Sequence, residues 1–298
     1  MGQGTLLSDF SDQVASLVAR AASSVVQVRG RHGRPATGTV CGAGRVVTAA
    51  HVLEHGNGWV VQTAEGDSLA AEVAGADPST DLAVLRVTGL TPAALPAADR
   101  ARVGEWAVAL GRTWSGALSA SPGAVSVVGG PLRTGRGPAI EEVVRADVRP
   151  HPLGAGGPLL DARGRVAGIA TGVMLRGLPL FIPGAAAWRI ADALAAQGRI
   201  RRGYLGVSAQ PIRVPAGQRA GRPQEVALLV LGTSADSPAS RSGLLVGDLI
   251  VGFDGHAVQV HEDLLTLLTA ERIGKAAPLD VIRGGEPRTL QIEVAEQR

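Results

Sequence analysis

From Val25 to Ile182 the chain is cut into short β-branched and apolar stretches, each closed by Gly, Pro, Asp or Ser. The stretches are Val25–Arg29, Thr37–Cys41, Arg45–Ala49, Trp59–Thr63, Glu72–Ala74, Ala83–Val87, Trp106–Leu110, Ala124–Val128, Val143–Asp147, Val166–Thr171 and Leu180–Ile182. Runs this short cannot hold helices of ordinary length, and their spacing of roughly 8–12 residues specifies an antiparallel barrel or sandwich, not alternating βαβ units. The fold class is therefore mainly β.

Helical periodicity stands at either end of this series. Phe10, Val14, Leu17 and Val18 fall on one face behind Ser8 or Asp9 as N-cap, and Trp188, Ile190, Ala191 and Leu194 do the same within Ala185–Gln197. After Gly198–Gly203 the pattern restarts: a strand at Leu205–Ala209, a Pro/Gly/Arg/Gln-rich loop over 211–224, and strands at Ala227–Leu231 and Leu249–Phe253. A helix over Glu262–Ala270 and a hairpin, Leu279–Arg283 with Thr289–Val294 around Gly284-Gly285, complete it. A length of 298 residues suits two domains. The boundaries read as an N-terminal helix or assembly arm at 1–24, a β-domain at 25–197, a linker at 198–203 and a smaller α+β module at 204–298.

The pI near 9.9 reflects a net charge of only +3, with Lys275 the sole lysine and the arginines dispersed. Aromatic residues make up 3%, too few for base-stacking platforms, so nucleic acid is not an expected partner. No run approaches the ~20 apolar residues of a membrane span. The first residues show no basic segment or cleavage site of a signal peptide; the expected compartment is the cytoplasm, or outside it if an export segment has been trimmed away. Cys41 is the only cysteine, excluding an internal disulfide and reading as a small buried hydrophobe in a strand.

Three features carry chemistry. Val46-Val-Thr-Ala-Ala-His51 sets a histidine at the end of an apolar strand, and Asp77-Pro-Ser-Thr-Asp81-Leu-Ala-Val-Leu85 sets an acid at the mouth of another. Further on, Arg149-Pro-His-Pro-Leu-Gly-Ala-Gly-Gly-Pro-Leu-Leu-Asp161 has the turn chemistry of a nucleophile loop. A serine hydroxyl is a weak nucleophile; it needs a base for its proton, and the base needs a carboxylate to fix its tautomer. Histidine, acid and glycine loop occur here in that order, but Ala155 stands where the hydroxyl belongs. His51-Val-Leu-Glu54-His55 also matches the H-x-x-E-H zinc pattern. It follows a strand and is cut off by Gly56-Asn-Gly58, so no metal or other cofactor is expected. His151 reads as a turn residue between prolines, and His32, His256 and His261 as surface positions.

The chain resembles the HtrA/Deg-type trypsin-like serine proteases, in which a chymotrypsin-like double antiparallel β-barrel precedes a PDZ domain. The resemblance rests on Thr48-Ala-Ala-His51-Val, Asp77-Pro-x-Thr-Asp81-Leu-Ala-Val-Leu85, Gly104-Glu-Trp-Ala-Val-Ala-Leu-Gly111, Gly123-Ala-Val-Ser126, Gly156-Gly-Pro-Leu-Leu-Asp-x-x-Gly-Arg-Val-x-Gly168-Ile and Phe181-Ile-Pro183. In the second module it rests on Gly203-Tyr-Leu-Gly-Val207 and Ser237-Pro-Ala-x-x-Ser-Gly-Leu-x-x-Gly-Asp-Leu-Ile250. It implies His51 as base, Asp81 as its orienting acid, and an oxyanion hole at Leu153, Gly154 and Ala155. Where the family has Gly-x-Ser-Gly-Gly-Pro, this chain has Leu153-Gly154-Ala155-Gly156-Gly157-Pro158. Leu153 replaces a glycine whose turn a branched residue enters at about 1–3 kcal/mol. Loss of one oxyanion donor typically costs ~10²–10³ in rate.

The resemblance further implies a carboxylate loop at Tyr204, Leu205, Gly206 and Val207, with Leu264 and Leu268 lining a side-chain pocket. Peptides or unfolded segments, including C-terminal peptides at the PDZ module, are the implied ligands. A homotrimer built through the N-terminal region, or a hetero-oligomer with an active relative, is the implied assembly. The expected function is that of a catalytically inactive homologue, an adaptor or holdase. The alternative is an active serine endopeptidase captured as a serine-to-alanine mutant at Ala155, which accounts for one departure and not for Leu153.

Overall fold

A computed structural model describes residues 5–31, 34–54, 57–132, 140–175 and 178–297. It divides into two units, one running to Ile200 and the other from Arg201 onward. Strands dominate, and the first unit is two six-stranded closed barrels.

The chain enters through α1 (Leu6–Ala21), one turn earlier than the sequence predicts. Thr5, not Ser8 or Asp9, is the N-cap, its hydroxyl accepting the Ser8 N–H at 3.3 Å. Leu17 and Ala21 are buried while Leu6 and Leu7 remain exposed. The first barrel comprises β1 (Val25–Arg29), β2 (Ala36–Gly42), β3 (Arg45–Ala49), β4 (Val60–Gln62), β5 (Ser68–Asp77) and β6 (Leu82–Val87), in the order β1-β2-β3-β6-β5-β4. Pairing of Gln27 with Gln62 closes it. Its interior is Val26, Val28, Val40, Val46, Val61 and Leu85: β-branched side chains fit the pleated wall of a small barrel.

The second barrel comprises β7 (Trp106–Arg112), β8 (Leu118–Gly129), β9 (Val143–Ala146), β10 (Pro158–Asp161), β11 (Val166–Leu175) and β12 (Leu178–Pro183), ordered β10-β11-β12-β9-β8-β7. Pairing of Leu159 with Ala109 closes it. Phe181 fills its centre among Ala107, Ala109, Val125, Val144 and Leu159. A third cluster, with Leu17, Val47, Leu82, Val108, Leu110 and Ile169, joins α1 to both barrels. A four-residue helix, α2 (Ala50–Leu53), follows β3, and α3 (Gly184–Gln197) ends the unit on the left-handed Gly198, the usual helix stop.

The second unit contains β13 (Gly203–Tyr204), β14 (Val207–Arg213), β15 (Val226–Thr233), α4 (Pro238–Arg241), β16 (Leu249–Phe253), β17 (His256–Ala257), α5 (His261–Leu267), β18 (Ala276–Arg283), β19 (Glu286–Glu293) and β20 (Ala295–Glu296). Its main sheet runs β14-β15-β16-β18-β19, with β17 paired to β16 and β13 to β20. Strand β14 lies later than the predicted Leu205–Ala209 and runs through Pro211 into the predicted loop. An edge strand tolerates a proline because half of its N–H groups have no partner strand. The helix predicted over Glu262–Ala270 is shorter, His261–Leu267.

Candidate active site

Antiparallel pairing of β3 with β6 sets Ala49 opposite Leu82. The residues just past one strand and just before the other are therefore neighbours: Ala50 N–H donates to the Asp81 carbonyl at 3.0 Å. From these positions His51 and Asp81 meet. His51 Nδ1 lies 2.9 Å from both carboxylate oxygens of Asp81, and its backbone N–H donates to Oδ1 at 2.9 Å. A neutral ring bonded in this way carries its proton on Nδ1, which leaves Nε2 as the basic nitrogen.

Strand β11 supplies a component that the sequence reading missed. Gly172 N–H donates to Asp81 Oδ2 at 2.6 Å. A Cβ at Gly172 would stand 2.4 Å from His51 Cε1, so the imidazole packs directly on the bare backbone. The available signal was a glycine following an apolar strand, the mark of a close approach. Asp81 adopts φ +58°, a conformation that Asp enters more readily than most residues.

Burial alone pushes the Asp81 carboxyl up. Hydrogen bonds from the His51 side chain, the Gly172 N–H and the His51 N–H, together with the His51 charge, outweigh it and hold the group below the usual carboxylate range. The folded pKa is then below the unfolded one. The stabilisation is present above the unfolded value of about 3.9 and is lost as pH falls through the folded value. Melting curves between pH 6 and pH 3 are expected to show Asp81→Asn less stable than the parent at pH 6, with the gap narrowing in acid. A gap constant across that range contradicts this linkage.

The glycine loop reaches the same place by hydrogen bonds from both barrels. Gly156 N–H donates to the Ala170 carbonyl at 2.8 Å, two residues before Gly172 on β11. From β2, Thr37 N–H donates to the Ala155 carbonyl at 3.2 Å, Thr39 Oγ1 to the Gly156 carbonyl at 2.8 Å and Thr37 Oγ1 to the Leu153 carbonyl at 2.7 Å. Thr37 Oγ1 in turn accepts the Arg112 N–H at 2.8 Å. The His51–Asp81 pair and the loop that carries Ala155 are thus both held by β11, the pair at Gly172 and the loop at Ala170.

The conformation of the loop differs from expectation. The non-glycine residues at positive φ among the described residues are Asp81, Ala220, Asp236 and Asp254; Leu153 is not one of them. The backbone cost assigned to Leu153 therefore does not arise, because the loop has taken a turn that leucine accepts. The consequence falls on its donors. Leu153 N–H donates to His151 Nδ1 at 3.1 Å, and Gly154 N–H to the His151 carbonyl at 2.7 Å. Ala155 N–H has no hydrogen bond among the described residues. Of the three amides expected to line an oxyanion hole, two are committed within the loop. His151, read from sequence as a turn residue only, is the group that commits them.

Glu54 caps the short α2, His55 and His32 lie outside the described residues, and no group of three His, Cys, Asp or Glu placed to hold a metal ion occurs among those described. His256 is exposed and His261 half-buried. Cys41 lies in β2, and burial pushes its thiol up to about 11, which leaves it unreactive at neutral pH. No helix of the described residues is long and apolar enough to cross a membrane.

In the second unit, the carbonyl of Leu205 accepts the Ala239 N–H and that of Gly206 accepts the Ser234 N–H, at 2.9 and 2.8 Å. A trans peptide points its C=O and N–H in opposite directions, so the Gly206 and Val207 N–H groups face away from these partners. Gly206 has φ +76°, and a Cβ there would lie 2.3 Å from Ser237 Cβ and 2.9 Å from the Tyr204 hydroxyl. Leu264 and Leu268, expected to line a pocket, are both buried in the core with Leu205, Leu228 and Phe253. Val207, Leu267 and Leu290 are the partly buried residues packed against this cluster.

Residues 36–169 match the model of the trypsin-like peptidase domain, and residues 203–294 that of the PDZ domain. The chain belongs to the HtrA/Deg-type family. It is 31% identical over 258 residues to a protein of Ectopseudomonas mendocina named "Probable periplasmic serine endoprotease DegP-like", covering 84% of this chain and 54% of that protein. A protein of the same name from Brucella suis is 31% identical over 85% of this chain and 50% of its own length. The chain thus spans about half the length of these curated relatives. Among solved structures, the HtrA-type protease AlgW with a tripeptide superimposes with a TM-score of 0.77 at 26% identity, over 95% of this chain and 97% of that one. A serine endoprotease from Yersinia pestis, at 23% identity and a TM-score of 0.78 over the whole of both chains, shares the fold.

Proposed function

We propose that this HtrA-type chain binds extended or unfolded peptide segments without cleaving them, as an adaptor, a holdase or the partner of an active protease. The observation that carries this reading is the loop at 153–155. It has no hydroxyl at Ala155, and the Leu153 N–H that would receive an acyl oxygen is bonded to His151. His51 and Asp81 are the base and its orienting acid of the ancestral chemistry. Leu153, Gly154 and Ala155 mark its oxyanion hole. The PDZ module receives C-terminal carboxylates at the Gly206 and Val207 amides, and β14, an edge strand, accepts the peptide as an added strand. Tyr204 and Leu205 shape that loop.

The second reading, an endopeptidase whose serine has been exchanged for alanine, is favoured by one observation: the intact His51–Asp81 contact at 2.9 Å. The variant A155S separates the two. Labelled with a serine-directed fluorophosphonate, it is expected to react at least ~10²-fold more slowly than an active HtrA-type protease, the deficit of one oxyanion donor. Labelling at the rate of such a protease establishes the endopeptidase reading.

Assembly through the N-terminal arm is part of the proposal. Leu6, Leu7 and Phe10 are 90%, 76% and 43% exposed, and Phe10 meets Trp106 edge-on with ring centroids 5.3 Å apart. A homotrimer, or a mixed oligomer with an active relative, covers such a face. An extracytoplasmic location follows the names of the relatives, which give no support to the cytoplasm.

A further inference from the structure

The N–H groups of two successive peptides of the loop are both committed within it. In the Pro152–Leu153 peptide, the N–H goes to His151 Nδ1 at 3.1 Å. In the next, the Leu153 carbonyl accepts from Thr37 Oγ1 at 2.7 Å and the Gly154 N–H goes to the His151 carbonyl at 2.7 Å. Thr37 is fully buried and fixed in turn by the Arg112 N–H, so this side of the loop is anchored in the barrels. The other side is held by one half-buried ring.

We infer that His151 is an internal occupant of the carbonyl-binding site: its Nδ1 takes the Leu153 amide proton that a bound acyl oxygen would take, and so keeps the hole closed. This rests on the non-cleaving reading of the site and deepens it. His151 acts through Leu153 and is a positioning residue, not a catalytic one. A ligand carbonyl enters the hole only by displacing the imidazole, so peptides bind in the cleft without inserting a main-chain carbonyl there. An imidazole accepts on Nδ1 only when its proton is on Nε2, which gives the inference a direct spectroscopic signature. Closure by the acceptor, and not by the bulk of the ring, is its defining feature.

The test uses the full chain and three variants: A155S, A155S/H151F and A155S/L153G. The first supplies a hydroxyl. The second keeps a ring at 151 but removes its acceptor, and the third removes the leucine side chain while leaving the imidazole in place. In fluorophosphonate labelling the introduced hydroxyl attacks phosphorus, the P–F bond breaks, fluoride leaves, and the hydroxyl proton passes to His51. The expected result is slow labelling of A155S and of A155S/L153G, and labelling about 10²-fold faster in A155S/H151F, the value of one recovered oxyanion donor. Fast labelling of A155S/L153G with no gain in A155S/H151F overturns the inference and leaves the non-cleaving reading intact. Fast labelling of A155S alone instead overturns that reading. Imidazole ¹⁵N spectra of the unaltered chain give a measurement independent of how the variants fold. His151 in the Nε2–H form agrees with the inference, and the Nδ1–H form overturns it.

Discussion

Replacing Asp81 by alanine is expected to lower the melting temperature of the first unit by roughly 6–12 °C, a cost of about 3 kcal/mol at ~2–4 °C per kcal/mol for a unit of this size. The carboxylate accepts the backbone N–H groups of His51 and Gly172 as well as the imidazole Nδ1. Alanine leaves those donors without an acceptor, at about 1–3 kcal/mol for each buried group. It also puts a residue without a polar side chain at φ +58°, at about 1–2 kcal/mol. Relaxation and water entry offset part of this sum. Asp81→Asn keeps an acceptor and the tolerance of positive φ, and is expected to lose well under half as much. Calorimetry of the three proteins at neutral pH checks both. A drop of less than about 2 °C for alanine shows that the pair is not structural. The expected drop gives a reason for a chain without a nucleophile to keep its histidine and acid: they tie the end of β3, the start of β6 and β11 together.

The second large effect is expected at Gly206. Alanine there meets two obstacles, the left-handed φ of +76° and a Cβ position 2.3 Å from Ser237 Cβ. The second is the harder to relieve, because it opposes two atoms bonded directly to backbone. The loop must move away from Ser237 and carry the Gly206 and Val207 amides with it. Affinity for peptides with a free C-terminal carboxylate is expected to fall about 10–100-fold, that is by ~1.4–2.8 kcal/mol. Fluorescence anisotropy with a labelled C-terminal peptide measures this. The same peptide capped as a C-terminal amide is the control, since it lacks the charge that the amides receive. Equal binding of acid and amide by the unaltered protein contradicts the carboxylate assignment whatever alanine does at 206.

Much of this architecture was legible in the sequence because the information is local. A β-branched run bounded by Gly or Asp becomes a strand whatever its partner, so nearly all strands of both barrels were found with their ends shifted by a few residues. β10 is absent from the stretches read as strands, and β5 is present there only as a fragment of its final length. His51, Asp81 and the glycine loop were found because each sits at a strand end with a recognisable turn. The groups that hold them were not. Gly172 lies 91 residues from Asp81 and Thr37 lies 116 from Leu153, and nothing within either segment signals the other. The Leu153 amide was the most instructive case. The sequence marks Leu153 as a departure with two costs, backbone strain and a lost oxyanion donor, and only the second arises. The loop avoided the strain and redirected its donor to His151. Leu264 and Leu268 illustrate the same limit: helical spacing placed them on one face, and only packing decides that the face is core.

The central claim is that the chain holds peptides and leaves them intact. The most direct test incubates the unaltered protein with an unfolded polypeptide labelled at both ends, then follows complex formation by size and integrity by mass spectrometry. A complex containing the full-length polypeptide is expected after prolonged incubation, with the same result for His51→Ala. Fragments that accumulate with the unaltered protein and disappear with His51→Ala contradict it.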